Sequence, residues 1–353
     1  MTNEYNRRGF EIMNRKSIYQ KVMSAILGIV VLVSFSYTDT DAALRKPGIT
    51  GASFLKIGVG ARMAGLGSAA TTLYGDPNLI FWSPAGIQVP EGTIQVGLNH
   101  NEWIADISHE AAAATYGLGN IGTIGVGVVY MGVSDLAADR DIAPPQFEGA
   151  QMEPPGTGRF DTYNYSDLAV TLAYSRRFTD RFVMGISGKF IQEVIDDISA
   201  TAYAFDFGAI YETGFRDITI GARINNVGSD LVFYAIEAPI PLSFSIGLNG
   251  SLAKSENMAV KGFFDVTKPQ DSPQLLFTGG EWEIMDVLTL RGGYKFNYSG
   301  TLDDDRTPQT DEGFTFGGGV AVPIAGYKLV VDYAATNFSI FQDTHRFSLM
   351  FEF

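Results

Sequence analysis

The sequence predicts an all-β fold, a transmembrane antiparallel up-and-down β-barrel of about fourteen strands with an N-terminal plug. Three observations carry this reading. Apolar and polar side chains alternate through most of the chain. The connections between the alternating segments are by turns long and short. The last segment, 344–353, ends on an aromatic residue, Phe353, with no polar tail.

Composition narrows the field. The 353 residues are 46% hydrophobic but only 18% charged, against about a quarter in a soluble protein. The net charge of -14, with no dominant basic patch, argues against nucleic acid as a partner. No cysteine is present, so disulfide frameworks and thiolate metal sites are excluded. The body of the chain holds no run of about 18 apolar residues, which excludes a helical membrane protein there.

Taken in order, the chain opens on a secretory signal. Arg15, Lys16 and Lys21 precede an apolar run over 22–35, and small residues follow, with Ala42 and Ala43 as the expected cleavage region. We assign 1–42 to the signal peptide. Met13 is a plausible true start, because 1–12 are unlike a signal's beginning. The next segment, 43–91, has a different texture. It carries Gly58, Gly60, Gly65, Gly67 and Gly75 among small residues, then Pro77, Pro84 and Pro90. It is too short for a domain and too apolar for a linker, so it is expected to pack as a plug against the barrel formed by 92–353.

From Thr93 the period becomes 2, the mark of a strand. Ile94, Val96 and Leu98 alternate with Gln95, Gly97 and Asn99. The pattern recurs around Ile124–Tyr130, Leu168–Tyr174, Phe182–Phe190, Tyr203–Tyr211 and Ile218–Ile224. It returns at Leu242–Leu248, Leu288–Phe296, Phe314–Val322 and Leu329–Tyr333, and ends with Phe347, Leu349, Phe351 and Phe353. Three weaker segments, 108–118, 258–266 and 275–282, complete the count. Tight turns are expected at 119–120, 179–180, 214–217, 254–257, 283–286 and 323–326. Long loops are expected at 99–107, 132–163, 194–199, 226–240, 268–274, 298–311 and 337–343. Strict alternation of the two classes puts the tight turns at one rim, and an even strand count puts both barrel ends there.

A soluble sandwich or propeller is the competing architecture. It requires charges on the water-facing side of each strand. Here one face is nearly uncharged, while the other carries Lys189, Asp206, Arg223, Lys261, Asp265, Arg291, Lys295, Asp332 and Arg346. Mixed charges of this kind suit a barrel lumen, where they can pair. Aromatics near strand ends (Phe178, Phe182, Tyr211, Phe215, Tyr294, Tyr327, Phe338, Phe341) fit the interfacial girdles of a membrane barrel or packing between neighbouring strands.

No catalytic constellation emerges, and we expect neither an enzyme nor a cofactor. Gly58, Gly60, Gly65 and Gly67 fail the spacing of a dinucleotide loop, and close packing of the plug explains them better. His100 and His109 flank the first long loop and are able to meet in space. With His345 isolated, zinc is a weak alternative to surface or girdle histidines, and no metal is expected. Asp196–Asp197, and Asp303, Asp304 and Asp305 with Asp311 and Glu312, read as solvated acidic loops rather than calcium sites. Serines lie near no His–Asp pattern, so no hydrolytic triad is proposed.

The stretch Ala52-Ser53-Phe54-Leu55-Lys56-Ile57-Gly58-Val59-Gly60-Ala61-Arg62-Met63-Ala64-Gly65-Leu66-Gly67 closely resembles the start of mature PorV/PorQ-type proteins. Asp76 and Trp82-Ser83-Pro84-Ala85-Gly86 continue the likeness. Those proteins sit within the FadL/OmpP1 superfamily of fourteen-stranded outer-membrane barrels with an N-terminal plug. The family has Asn-Pro-Ala-Gly where this chain has Ser83-Pro84-Ala85-Gly86; serine still hydrogen-bonds but lacks the amide donor. The resemblance implies an outer-membrane location in a Gram-negative-type bacterium, both termini periplasmic, with Phe351 and Phe353 in the C-terminal insertion signal. It also implies that Gly58, Gly60, Arg62, Gly65, Gly67, Asp76 and Ser83–Gly86 pack or gate the plug.

Two functions of different class follow from it. PorV-like members act in type IX secretion, holding cargo by its C-terminal domain and presenting it to a sortase. FadL-like members pass hydrophobic small molecules such as long-chain fatty acids. The motif favours the first. The long loop 132–163, stiffened by Pro144–Pro145 and Pro154–Pro155, supplies a surface for cargo. The charged lumen face mildly disfavours a wide apolar tunnel. Outer-membrane lipid is the common partner of both readings.

Overall fold

The computed structural model describes residues 48–104, 107–137, 162–215, 217–296, 312–338 and 343–353. The signal segment, its cleavage region and the start at Met13 lie outside these residues, as do most of 132–163, Phe341 and Asp303–Asp305 with Asp311.

Among the described residues sixteen strands follow one another: β1 (Ile94–Glu102), β2 (Ser108–Gly117), β3 (Thr123–Ala137), β4 (Thr162–Thr179), β5 (Phe182–Ile195) and β6 (Ile198–Glu212). Then come β7 (Thr219–Gly228), β8 (Leu231–Phe233), β9 (Ile236–Ala238), β10 (Ser243–Lys254) and β11 (Met258–Pro269). The chain ends with β12 (Leu275–Ile284), β13 (Leu288–Phe296), β14 (Glu312–Ile324), β15 (Tyr327–Phe338) and β16 (Thr344–Glu352). Fourteen of them form one closed antiparallel barrel in which each strand pairs with its sequence neighbours. β8 and β9 form a separate hairpin, so β7 pairs directly with β10.

Closure is made by the last strand. β16 pairs with β1 from Gln95↔Glu352 to Glu102↔His345. Beyond it, Phe353 N–H donates to Ile94 O at 2.9 Å and Ile94 N–H returns the bond at 3.2 Å. A closed ladder leaves no edge, the condition for a sheet in hydrocarbon.

The period-2 pattern resolves into an outer apolar wall and an inner polar one. On β6, Tyr203, Phe205, Phe207 and Tyr211 point outward, with Tyr203 63% exposed, whereas Asp206 between them is fully buried. Exposed large apolar side chains occur on every barrel strand, two or more on each except β2, β11 and β12, which expose Tyr116, Met258 and Trp282. Such a continuous belt is covered by lipid rather than by water. Aromatic contacts mark both ends of the belt. Tyr294 meets Phe314 edge-on, centroids 4.7 Å apart, towards the long loops, and Tyr327 meets Phe353 at 5.2 Å beside the tight turns.

Two expectations about connections need correction. The 194–199 segment is no long loop: β5 and β6 run on to pair Ile195 with Ile198 across a two-residue turn at Asp196–Asp197, where Asp196 takes φ 57°. The 226–240 segment is not unstructured: it holds the β8–β9 hairpin, whose Leu231 is buried.

Residues 48–92 fill the lumen. The segment enters at the long-loop end, where Gly51 N–H donates to Pro239 O at 3.0 Å. It passes through short 3₁₀ turns and one α-helical turn, Ala61–Gly65. It leaves at the tight-turn end, where Gly92 N–H donates to Gly117 O at 2.9 Å. The described chain therefore begins at one end of the barrel and Phe353 ends at the other.

Candidate functional site: a cavity beside the plug

The plug backbone comes so close to the inner wall that inward-facing positions must be glycine. At Gly185 of β5 an added Cβ would collide with the carbonyl of Pro84 and the amide of Ala85. Gly67 is constrained twice. Its φ is +64°, and an added Cβ would lie 2.7 Å from Thr278 O and 2.8 Å from Tyr294 N. Gly65 faces Gly317 of β14, and Ser83 faces Gly208 of β6.

One side of the plug is fixed by charge. The Arg62 guanidinium donates twice to Glu281, both bonds 3.2 Å. Arg291 donates to the same carboxylate at 2.8 Å and also pairs with Asp332. Glu281, Arg291 and Asp332 are all buried inner-wall residues. Nearby, Ala61 N–H donates to Ser348 Oγ at 2.7 Å, and Ser348 donates to Asn99 at 2.7 Å. Asn99 in turn donates to Asn78 of the plug at 2.6 Å. Asp76 caps the turn Pro77–Phe81 through a 2.9 Å bond from Asn78 N–H.

The other side of the plug borders a cavity of about 330 Å³. Phe54, Ile57 and Val59 of the plug form one wall, with Trp82 below them; Val129, Ala169 and Phe277 of the barrel form the other. Trp82 holds the floor in place. Its Nε1 donates to Val59 O at 2.8 Å, and its own carbonyl accepts from Arg223 at 3.1 Å and Asn225 at 2.8 Å. The Arg223 guanidinium also lies over the indole, 5.2 Å from the centroid. Gly58 lies flat on the ring, where an added Cβ would meet indole carbons at 2.6 and 2.8 Å.

A polar pole lies in this otherwise apolar space. Lys189 pairs with Asp206 at 2.7 Å and donates to Asn226 at 2.9 Å. Thr171 Oγ1 and Arg223 Nε are buried with no hydrogen-bond partner. At the mouth, by the long loops, Lys56 and Thr50 of the plug hold Asp271 of the β11–β12 loop. Thr50 donates at 2.7 Å. Burial pushes the Asp271 carboxyl up, but the bonds from Lys56 and Thr50 and the Lys56 charge outweigh it and hold it below the usual carboxylate range.

The sequence-derived candidates distribute as follows. Gly58 lines the cavity. Gly60, Arg62, Gly65, Gly67 and Asp76 lie along the fixed side or within the plug's own turns. Pro84–Gly86 pack on the wall of β4 to β6, where Ser175 donates to Ala85 O at 3.2 Å. Ser83 is fully buried and its hydroxyl has no partner. Phe351 lies half-buried in the outward row of β16, and Phe353 follows just beyond the strand, exposed. His100 and His109 do not meet, because they occupy opposite faces: His100 is exposed beside Glu110 at 2.6 Å, and His109 is buried inward. Glu312, read as part of an acidic loop, is buried and paired with Lys295. The charges expected to spoil an apolar lumen are largely absorbed by pairing. The cavity itself was not foreseen, since its residues come from segments distant in the sequence.

No family model matches the chain, and no curated protein matches it. Solved structures do. The toluene transporter TbuX of Ralstonia pickettii aligns over 84% of this chain and 98% of its own, with 12% identity and a TM-score of 0.53. The toluene transporter TodX of Pseudomonas putida aligns over 84% and 97%, with 13% identity and a TM-score of 0.53. A FadL homologue of Pseudomonas aeruginosa aligns over 84% and 98%, with 11% identity and a TM-score of 0.50. At these identities the shared property is the fold: a closed fourteen-stranded barrel of the FadL-like kind.

Proposed function

We propose that the protein is an outer-membrane channel for hydrophobic small molecules, with its long-loop rim outside and its tight-turn rim in the periplasm. The cavity carries this reading. It is largely apolar, of a size to hold one small ligand, reaches the β11–β12 loop at Asp271 and is lined by Trp82. The apolar outer belt supports the location. The resemblance in fold to two toluene transporters and a FadL homologue supports the class of cargo. A membrane host lacking its own hydrophobic-solute channel should take up an apolar probe faster when it carries this barrel. Equal uptake with and without it would remove the reading.

Type IX secretion is the second reading, and it rests on the PorV/PorQ-like motif. Those plug residues pack against the inner wall, a role that a cargo holder and a channel both need, so they do not decide between the two. Deleting 138–161 tests it: loss of cargo presentation with uptake intact would favour secretion.

A further inference from the structure

Resting on the channel reading, we infer that the cavity selects an uncharged hydrophobic molecule bearing one hydrogen-bonding group, such as an alcohol, ketone or ester, over a carboxylate anion or a bare hydrocarbon. The argument starts from charge. Three cations line the cavity: Lys56, Lys189 and Arg223. Two of them are in direct contact with a carboxylate: Lys56 is paired with Asp271, and Lys189 with Asp206. Arg223 makes no ion pair among the described residues and donates to Trp82 O; its countercharges, Asp265 and Asp206, act at longer range. Asp265 accepts from Thr71 N–H at 2.9 Å.

An anion entering this space meets three cations balanced by three carboxylates, two of the pairs in direct contact. It would lose its hydration and either displace a resident carboxylate or remain unpaired, and both are costly in a buried site. A bare hydrocarbon is disfavoured for the opposite reason. It would cover Thr171 Oγ1 and Arg223 Nε, which have no partner in the protein, and would exclude the water that can serve them. Thr171 faces Lys189 across the β4–β5 ladder, and both line the cavity with Arg223. A neutral ligand that accepts a hydrogen bond there serves these donors and leaves both lysine–carboxylate pairs undisturbed, while its apolar body lies against Phe54, Val59 and Phe277.

The test uses the whole barrel in lipid nanodiscs, with dodecanol, dodecanoate and dodecane as calorimetric probes at about pH 8, where the acid is ionised. Dodecanol should bind at least about tenfold tighter than either of the others. Asp206→Asn frees Lys189 and should raise dodecanoate affinity about tenfold relative to that of dodecanol. Asp271→Asn makes the same comparison at the mouth, on a loop residue outside the barrel ladder, and serves if Asp206→Asn does not fold. Thr171→Val should weaken dodecanol and not dodecane. Dodecanoate or dodecane matching dodecanol in the parent protein would overturn the inference while leaving the channel reading intact. Binding of none of the three would overturn the channel reading and this inference together.

Discussion

The two sides of the plug solve different problems with the same kinds of residue. Towards β12 to β16, Arg62, Glu281, Arg291 and Asp332 form one buried ionic network, supported by the Asn78–Asn99–Ser348 bridge. Towards β3 to β7 and β11, charges pair along the wall and the plug stands off, leaving the cavity. Charged groups are buried on both sides, so the polarity of the lumen does not separate them. What differs is where the plug's own cation pairs. Arg62 joins the inner-wall network and fixes that side, whereas beside the cavity Lys56 pairs with Asp271 at the mouth and Lys189 and Asp206 pair along the wall, so space remains for a ligand.

The largest effect should follow from breaking the fixed side. Glu281→Ala leaves Arg62 without its carboxylate and Arg291 with Asp332 alone, and removing one partner of a buried charged cluster costs about 3–5 kcal/mol. Thermal unfolding followed by heat-modifiable gel mobility should show it, and an unchanged midpoint would mean the network does not hold the plug. On the open side, Trp82→Ala removes the cavity floor. Its cost should be about 2–3 kcal/mol, below that of a fully enclosed tryptophan because part of the ring already faces empty space. Uptake of an apolar probe should rise as stability falls.

A smaller effect is expected where the two sides meet. Gly185→Ala places a methyl group against Pro84 and Ala85, forcing a shift worth about 1–3 kcal/mol. The barrel ladder is untouched, so protease sensitivity of the plug should increase with no change in barrel assembly. The smallest effect concerns the mouth. Lys56 is 37% exposed, so its pair with Asp271 adds little at neutral pH. Because the folded-state Asp271 carboxyl titrates below its unfolded value, its contribution is present above the ordinary carboxylate range and is lost as pH falls through the lower folded value. The mobility of a spin label placed at Ser53 should therefore rise only below about pH 4, and Asp271→Asn should abolish that dependence.

Most of the barrel was legible because a strand's period is local. Tyr203, Phe205 and Phe207 declare their outward face from ten residues of sequence. The β5–β6 connection was misread because both strands continue past the aromatic stretch. Val194 and Ser199 still pair, although neither belongs to an obvious alternation. The β8–β9 hairpin was invisible for want of a turn signal: its bend uses Tyr234 at φ 54° rather than glycine or asparagine. Gly185, Gly208 and Gly317 looked like fillers of the polar face, yet their neighbours in space are plug residues roughly a hundred or more positions away. The cavity belongs to the same category. Phe54, Trp82, Ala169 and Phe277 become one surface only after closure, and no local pattern joins them.

The central claim is that hydrophobic molecules occupy and pass through the space beside the plug. Ala169 is fully buried on β4 and lines that space, so Ala169→Trp should fill it from the wall. The decisive measurement is the uptake rate of a fluorescent apolar probe by cells carrying this variant or the parent, with heat-modifiable mobility confirming that both barrels assemble. The account predicts uptake reduced to the level of cells without the barrel. Uptake equal to the parent's, with the variant folded, would contradict it.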